Sequence, residues 1–265
     1  MNPFIFLYTE ILWRPLFNGL VILYTILPGH DLGLAIVCLT LIIRMLVAPI
    51  LWRSQAAQKK MAALQPELKR IQERHKNDKE AQGKAVMEFY AAHRINPFAG
   101  CVLLLVQLPI LIALFGVFRK GLDPASLAFL YSFVPHPGMM SSHGLFGLID
   151  LAKGNVILGV IAAATQYFQT RLMAPPPQTG AAGGGDFTKM LQWQTTYFFP
   201  LIILFWSYSL PSALTLYWTT MNVFGIVEAI IIRTYGDPNR HTPSVASFRS
   251  GTGPGDDQKR DSGHA

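Results

Sequence analysis

One arginine stands in the middle of an apolar run, and its chemistry needs an explanation. Arg44 lies within segment 41–47, LIIRMLV, about 12 Å of helix from the end of that run. Placing an arginine near the centre of a bilayer costs at least about 2.5 kcal/mol on insertion scales. A guanidinium at that depth is a fixed positive charge that attracts acidic groups in a medium of reduced dielectric.

Polar side chains recur in other apolar runs. Thr40 lies one turn before Arg44 on the same helix face, and Gln107 precedes Pro109 in a second run. A third run contains Thr165, Gln166 and Gln169. Each of them alone could simply join helices by hydrogen bonds. Together with Arg44 they predict a hydrophilic groove that is open to the cytosol.

Two simpler explanations of Arg44 remain open. The arginine could form a buried ion pair, or its side chain could snorkel to the interface. The carboxylates available in the apolar runs are Glu228, near the inner end of the last run, and Asp31, at the far mouth of the first. Neither lies close to Arg44 in sequence, which favours a hydrated cavity.

The elements that must position these residues are membrane spans. Hydrophobic residues make up 51% of the chain and charged residues 14%, which is wrong for a soluble domain of this length. A span needs roughly 20 apolar residues. The runs predict five transmembrane helices, at about 31–51, 97–118, 156–173, 195–210 and 212–234. Pro211 separates the last two, because one kinked helix of about 40 residues would far exceed the bilayer.

The first 30 residues form a separate external region. No basic stretch or small-residue cleavage site indicates a cleaved signal. The apolar part at 15–27 is too short to span comfortably. It predicts an interfacial helix, with Trp13, Arg14 and Tyr24 as anchors at headgroup level.

The distribution of charge predicts the orientation. Residues 53–94 hold ten of the 22 basic residues, and five more follow from Arg233 onward. The positive-inside rule places both segments in the cytoplasm, and with five spans the N-terminus is then outside. With no transit-peptide pattern, we expect a multi-pass protein of a bacterial plasma membrane.

A cytoplasmic helical hairpin is predicted at 53–95. Its first helix shows an apolar stripe at 3-4-3 spacing: Met61, Leu64, Leu68 and Ile71. Asn77-Asp78 and Gly83 mark a break, after which Val86 and Phe89 continue the pattern. The simplest structure is two antiparallel helices packed through these stripes.

The outer face of this hairpin is basic. Its cations include Lys59, Lys60, Lys69 and Arg70. They could contact anionic phospholipids, a ribosome or a signal-recognition partner. The alternative is a solvated surface whose charge only fixes the orientation of the chain. We favour docking of partners for the hairpin as a whole.

The remaining segments predict little chemistry. The linker at 174–186 is rich in proline and glycine, and residues 236–265 are a weakly basic tail of disordered composition. Cys38 and Cys101 lie within predicted spans and are expected to be small buried groups rather than a disulfide.

An enzyme is not expected. All seven histidines lie outside the predicted spans, and neither a zinc-protease helix motif nor a nucleophile-elbow serine motif occurs. We therefore predict no catalytic residue, no metal and no cofactor. A small transporter or channel with an anion-binding arginine is the alternative function, although such proteins usually carry an internal repeat, which this sequence lacks.

Four motifs in order make the sequence resemble the YidC/Oxa/Alb family of membrane-protein insertases over about 15–235. The first is Arg44 followed by Pro49, leading into a charged hairpin that contains LQP at 64–66. Then come NPFAGC at 96–101 with QLP at 107–109, and PSALTLYW at 211–218 with Asn222. Each motif is weak alone, but their order and spacing are specific. The chain resembles the short forms of the family, without a large external domain.

The resemblance implies a groove in which Arg44 receives hydrophilic parts of a nascent chain. It also assigns Tyr217 and Trp218 to that groove. The client's apolar helix would leave sideways into lipid, driven by hydrophobic partitioning. The implied partners are nascent membrane proteins, with the ribosome, the signal-recognition pathway and the Sec translocon as further candidates, and no DNA.

Overall fold

The computed structural model describes residues 3–94, 99–120, 123–173, 190 and 193–235. Its helices are α1 (Pro3–Tyr8), α2 (Arg14–Ile26), α3 (Leu32–Ala63), α4 (Gln65–Arg74), α5 (Lys79–Ala92), α6 (Ala99–Lys120), α7 (Val156–Met173), α8 (Phe199–Ser209) and α9 (Ser212–Tyr235). The NPF motif at 96–98, most of the linker and the tail at 236–265 lie outside the described residues.

The described chain is an all-α membrane protein apart from two short strands. Three of its helices are long and apolar enough to cross a bilayer: Ile5–Ile26, Leu32–Ala57 and Ser212–Ile231. A shorter apolar helix covers Val106–Arg119. The second and third of the long helices correspond to predicted spans 31–51 and 212–234, whereas the first lies in the region expected to be too short.

The N-terminal helix is therefore longer than the sequence predicted. It runs on from α1 through a π-helical turn at Thr9–Trp13 into α2, where the Arg14 N–H bonds to the Thr9 carbonyl. Pro15 would clash with the carbonyl four residues back in a regular helix, and the wider π turn before it lets the helix continue. Trp13 and Tyr24, predicted as headgroup anchors, are instead buried in the protein core.

The first predicted span does not end where the hairpin was expected to begin. Helix α3 continues through Pro49 to Ala63 and breaks at Leu64, whose φ and ψ are −92° and 0°. Pro66 lies in the first turn of α4 and cannot continue the preceding helix. The predicted stripe at 61–71 is therefore divided between α3 and α4.

Helices α4 and α5 form the antiparallel pair that was predicted. Gln82 Nε2 near the start of α5 donates to the Gln72 carbonyl near the end of α4, and Leu68 and Phe89 are buried. The break lies at 75–78, where the Asp78 carboxylate accepts from the N–H groups of Glu80 and Ala81 and caps α5. Gly83, expected to mark this break, lies inside α5.

The bundle is built around α9, which packs against α3 on one side and α7 on the other. Helix α8 also packs on α7, and α2 and α6 pack on α3. Gly159 of α7 allows the close approach to α8, because a Cβ there would lie 1.9 Å from Ser207 Oγ. Leu210 is extended between α8 and α9, so the tight turn predicted at Pro211 is present.

The N-terminal end of α3 is joined by hydrogen bonds to the loop before α7. That loop contains the two-residue strands β1 (His143–Gly144) and β2 (Ile149–Asp150), which pair antiparallel. The Asp31 carboxylate accepts from the N–H groups of Leu34 at 2.9 Å, Leu145 at 2.9 Å and Phe146 at 2.5 Å. One side chain thus caps a membrane helix and anchors the loop.

Candidate functional site

Arg44 is buried within the bundle, with 9% of its surface exposed. Its Nη2 donates to the Met221 carbonyl of α9 at 3.4 Å, and its Cζ lies 5.8 Å from the centre of the Phe224 ring. Its Nε has no hydrogen-bond partner among the described residues. A guanidinium has five N–H donors, so most of its capacity is unused by the protein.

A direct ion pair does not account for the arginine. Within the part of the chain that the structure describes, no carboxylate oxygen lies within 4.0 Å of the Arg44 nitrogens. Glu228 of α9 interacts with Arg44 electrostatically from farther away, and its carboxylate accepts a hydrogen bond from the Trp52 indole. Arg44 therefore has an acidic group in its surroundings but no carboxylate in contact among the described residues.

Arg44 lines a cavity between α3, α6 and α9. The cavity is small and partly open, and its lining comprises Thr40, Ile43, Arg44, Val47, Gln107, Ile110, Tyr217 and Met221. Four of these were predicted as groove residues. The structure thus brings together Thr40, Arg44, Gln107 and Tyr217 from three helices.

The other polar residues that line this cavity are held in place by hydrogen bonds to neighbouring groups. Gln107 Nε2 donates to the Tyr217 hydroxyl at 2.6 Å and lies 3.3 Å from the Met221 sulfur. Thr40 Oγ1 donates to the Ile36 carbonyl of its own helix at 2.6 Å. These contacts orient the polar side chains of Thr40 and Gln107 in the cavity wall that Arg44 and Tyr217 also line.

The three polar residues of α7 lie elsewhere. Asn222 of α9 donates from Nδ2 to Thr165 Oγ1 at 3.3 Å, and Gln169 packs closely on Gly225 of α9. Gln166 donates to Thr170 of its own helix at 3.2 Å. The contacts of Thr165 and Gln169 fit the helix-joining role that the sequence left open, whereas the Gln166 bond stays within α7. Trp218 is half-buried and is not among the residues that line the cavity.

Sequence reasoning missed part of the site on α9. Met221 and Phe224 contact Arg44, and Glu228 supplies the distant negative charge. A signal was available, because Tyr217, Met221, Phe224 and Glu228 recur at 4-3-4 spacing on one helix face. The apolar types of Met221 and Phe224 hid it in a span that is apolar all round.

The hairpin cations are solvent-accessible where they are described. Lys60 donates from Nζ to the His93 carbonyl at 3.1 Å, which ties the end of α3 to the end of α5. Arg70 is exposed and Lys69 half-buried, and the side chain of Lys59 lies outside the described residues. Cys38 is a free, half-buried thiol, while the Cys101 side chain lies outside the described residues. The described residues include no group of three or more potential metal ligands.

Comparison with known proteins places this arrangement in a family. The family model described as 60Kd inner membrane protein matches residues 22–239. The membrane protein insertase YidC of Fusobacterium nucleatum is 32% identical over 206 residues, which are 78% of this chain and 88% of that protein.

Two further relatives agree with this match. The membrane protein insertase YidC of Clostridium tetani is 31% identical over 78% of this chain and 83% of its own length. The membrane protein insertase YidC 2 of Bacillus anthracis is 31% identical over 82% of this chain and 77% of its own length. With a family model and relatives that cover most of its length, the chain belongs to the 60Kd inner membrane protein family, the YidC insertase family that its motifs predicted.

Proposed function

We propose that this protein is a membrane-protein insertase that receives the polar part of a nascent membrane protein at Arg44 and releases its apolar helix into the bilayer. One observation carries the proposal: a buried guanidinium with an unpartnered Nε lines a cavity in a chain whose relatives are named insertases. An arginine at membrane depth is costly unless its charge is used.

Electrostatic attraction is the chemistry that Arg44 offers. Its contact to protein is one long hydrogen bond to Met221 and a distant aromatic face, so an acidic or polar client group gains charge-assisted bonds without displacing a strong one. No bond of the client is made or broken in this process, so the residues act by binding and positioning.

The opposite face of α3 is suited to lateral release. Ile42, Met45 and Leu46 are exposed on the turns that carry Arg44, and Leu46 is 72% exposed. A polar interior and an apolar exterior therefore meet on a single helix. A client segment held by its polar flank at Arg44 would have its apolar part beside lipid, where it partitions favourably.

We also propose the full topology: five spans, including 97–118, 156–173 and 195–210, with the N-terminus outside and the hairpin and tail in the cytoplasm of a bacterial plasma membrane. The support is the concentration of basic residues in 53–94. In the same arrangement the N-terminus is outside. The helix of region 1–30 packs along α6 at membrane depth, since Tyr8 donates to the Ile112 carbonyl within span 97–118 at 3.2 Å.

The basic hairpin is the proposed docking surface for nascent-chain partners. Lys60, Lys69 and Arg70 present cations that suit anionic phospholipids, a ribosome or a component of the signal-recognition pathway. Action beside the Sec translocon is part of the same proposal. The insertase names of the relatives do not favour the transporter or channel alternative, and these names describe insertion rather than catalysis.

Site-specific photocrosslinking to a stalled nascent membrane protein in vesicles tests the function. We expect probes at positions 40, 44 and 107 to capture the client's polar flank. The matched control is position 46, which lies on the same helix but faces outward. Capture from position 46 alone, with the protein folded and the client targeted, would contradict a receiving groove and favour a transporter.

A further inference from the structure

A second polar contact lies two helical turns from Arg44 on the same pair of helices. Arg44 of α3 contacts Met221 of α9. Farther along both helices, Trp52 of α3 contacts Glu228 of α9. The two steps are eight and seven residues, so the helices run parallel and in register over roughly 10–12 Å. The second contact lies on the hairpin side of Arg44, since α3 continues from Trp52 to the hairpin.

Glu228 is held in this position by packing and by one directed bond. It is 8% exposed, and its Oε1 accepts from the Trp52 indole Nε1. A carboxylate so deeply buried is retained at a cost, unless nearby positive charge compensates it. Arg44 supplies that charge from the next polar layer, without a contact within 4.0 Å.

The geometry makes Glu228 a fixed counter-charge between the hairpin and the cavity. Glu228 shares a face of α9 with Tyr217 and Met221, which line the cavity, and with Phe224, which lies between the two layers. A segment that reaches Arg44 from the hairpin end passes this carboxylate. Its negative field repels acidic groups and attracts basic ones.

We propose that Glu228 is a specificity-determining residue, which lowers the preference of Arg44 for acidic client segments over neutral ones. The proposal rests on the proposed insertase function, because it concerns which segments the Arg44 cavity accepts. The Trp52 indole is a positioning residue that holds the carboxylate on the cavity side of α9.

Glu228→Gln tests the charge with the least disturbance, because a glutamine oxygen still accepts from the Trp52 indole. Two clients are compared in vesicles that contain the full chain: one carries two aspartates in its translocated polar segment, the other two asparagines. We expect the acidic-to-neutral ratio of inserted client to rise about two- to fivefold in Glu228→Gln, as expected for a unit charge at roughly 10 Å in a partly hydrated site.

Asp123→Asn is the matched control, since it removes one negative charge from an exposed position just after α6, and an asparagine oxygen can still accept from the Ala125 N–H. We expect it to leave the ratio unchanged. High salt is expected to reduce the effect of Glu228→Gln only in part, since a buried charge is screened much less than an exposed one. If Glu228 acts on clients held at Arg44, Glu228→Gln should change the acidic-to-neutral ratio less in an Arg44→Ala protein than in the wild type.

The outcomes separate this proposal from the function on which it rests. If Arg44→Ala lowers acidic insertion but Glu228→Gln changes both clients equally, Glu228 is a packing residue and the specificity proposal is overturned alone. If Arg44→Ala leaves both clients unaffected in a folded protein, the Arg44 mechanism itself is overturned. A salt-sensitive rise in the ratio confined to Glu228→Gln supports the proposal.

Discussion

Two buried charges at α3, Asp31 just before its first residue and Arg44 within it, differ in how fully they are hydrogen-bonded. Asp31 directly precedes the first residue of α3 and is 7% exposed, whereas Arg44 lies within α3 and is 9% exposed. The Asp31 carboxylate accepts three backbone N–H bonds of 2.5–2.9 Å, while Arg44 donates one bond of 3.4 Å and its Nε has no partner in the part of the chain that the structure describes. A satisfied buried charge stabilises a fold, and an unsatisfied one is available to a ligand.

Removing the satisfied charge is expected to have the largest effect on stability. Asp31→Ala leaves the N–H groups of Leu34, Leu145 and Phe146 without their acceptor and should lower the free energy of unfolding by about 3 kcal/mol. Thermal unfolding in detergent micelles measures this loss. Asp150→Ala is the control in the same loop, because its ion pair with the exposed Lys153 should contribute below about 1 kcal/mol. Equal losses of stability in Asp31→Ala and Asp150→Ala would contradict a special stabilising role of Asp31.

The Arg44 charge should matter for clients rather than for folding. Arg44→Ala is expected to lower insertion of clients with acidic polar segments about tenfold, the equivalent of about 1.4 kcal/mol, with little change in thermal stability. Arg44→Lys should retain much of the activity, because the proposed role is positive charge and not a bidentate fork. Insertion assays in vesicles measure both. Normal insertion by folded Arg44→Ala would contradict the electrostatic role.

The two charges should also differ in acid. Burial raises the pKa of Asp31, but the backbone N–H bonds from Leu34, Phe146 and Leu145 outweigh it and bring the pKa below the ordinary value. A lowered folded pKa stabilises the fold above the unfolded value of about 3.9, and this contribution is lost as pH falls through the folded pKa.

Thermal unfolding between pH 6 and pH 3 tests this dependence. We expect the midpoint to fall with acid more in the wild type than in Asp31→Asn, because the amide does not titrate. An Arg44→Ala protein should follow the wild-type profile. Identical profiles for the wild type and Asp31→Asn would show that other carboxylates carry the acid sensitivity.

The smallest expected effect concerns the cavity wall. Gln107→Leu removes the donor to the Tyr217 hydroxyl and one polar group beside Arg44. We expect insertion of acidic clients to fall about two- to threefold, as for the loss of one hydrogen bond of about 0.5 kcal/mol. Leu108→Ala, at an exposed site next to it, is the control. A larger loss in Leu108→Ala would assign the effect to helix packing.

Local sequence signals predicted much of the fold. The run 156–173 coincides with α7, and Pro211 marks the turn between α8 and α9. The sequence did not predict the helix limits correctly at two prolines, where the local backbone decides whether a helix continues. The helix predicted over 15–27 extends back beyond Pro15, because a π turn accommodates the proline, and Pro66 divides the predicted stripe of the hairpin.

The sequence identified only some of the residues that line the cavity. Arg44, Thr40 and Gln107 stand out because polar residues are rare in apolar runs. Thr165, Gln166 and Gln169 stand out equally, yet the structure places them in α7 contacts away from the cavity. Polarity alone does not distinguish a residue that lines a cavity from a residue that joins helices, since both place a polar side chain in an apolar run.

The residue types and their order along the chain are enough to identify a helical membrane protein of the YidC insertase family with a costly arginine in its first predicted span. The packing of separate helices is needed to show that Asp31 is satisfied, that Arg44 Nε has no partner among the described residues, and that Glu228 lies two turns from Arg44 toward the hairpin. Apolar runs and prolines act over short distances within one helix, so the sequence alone reveals their effect. The partners of a buried charge come from other helices and depend on how those helices pack in register.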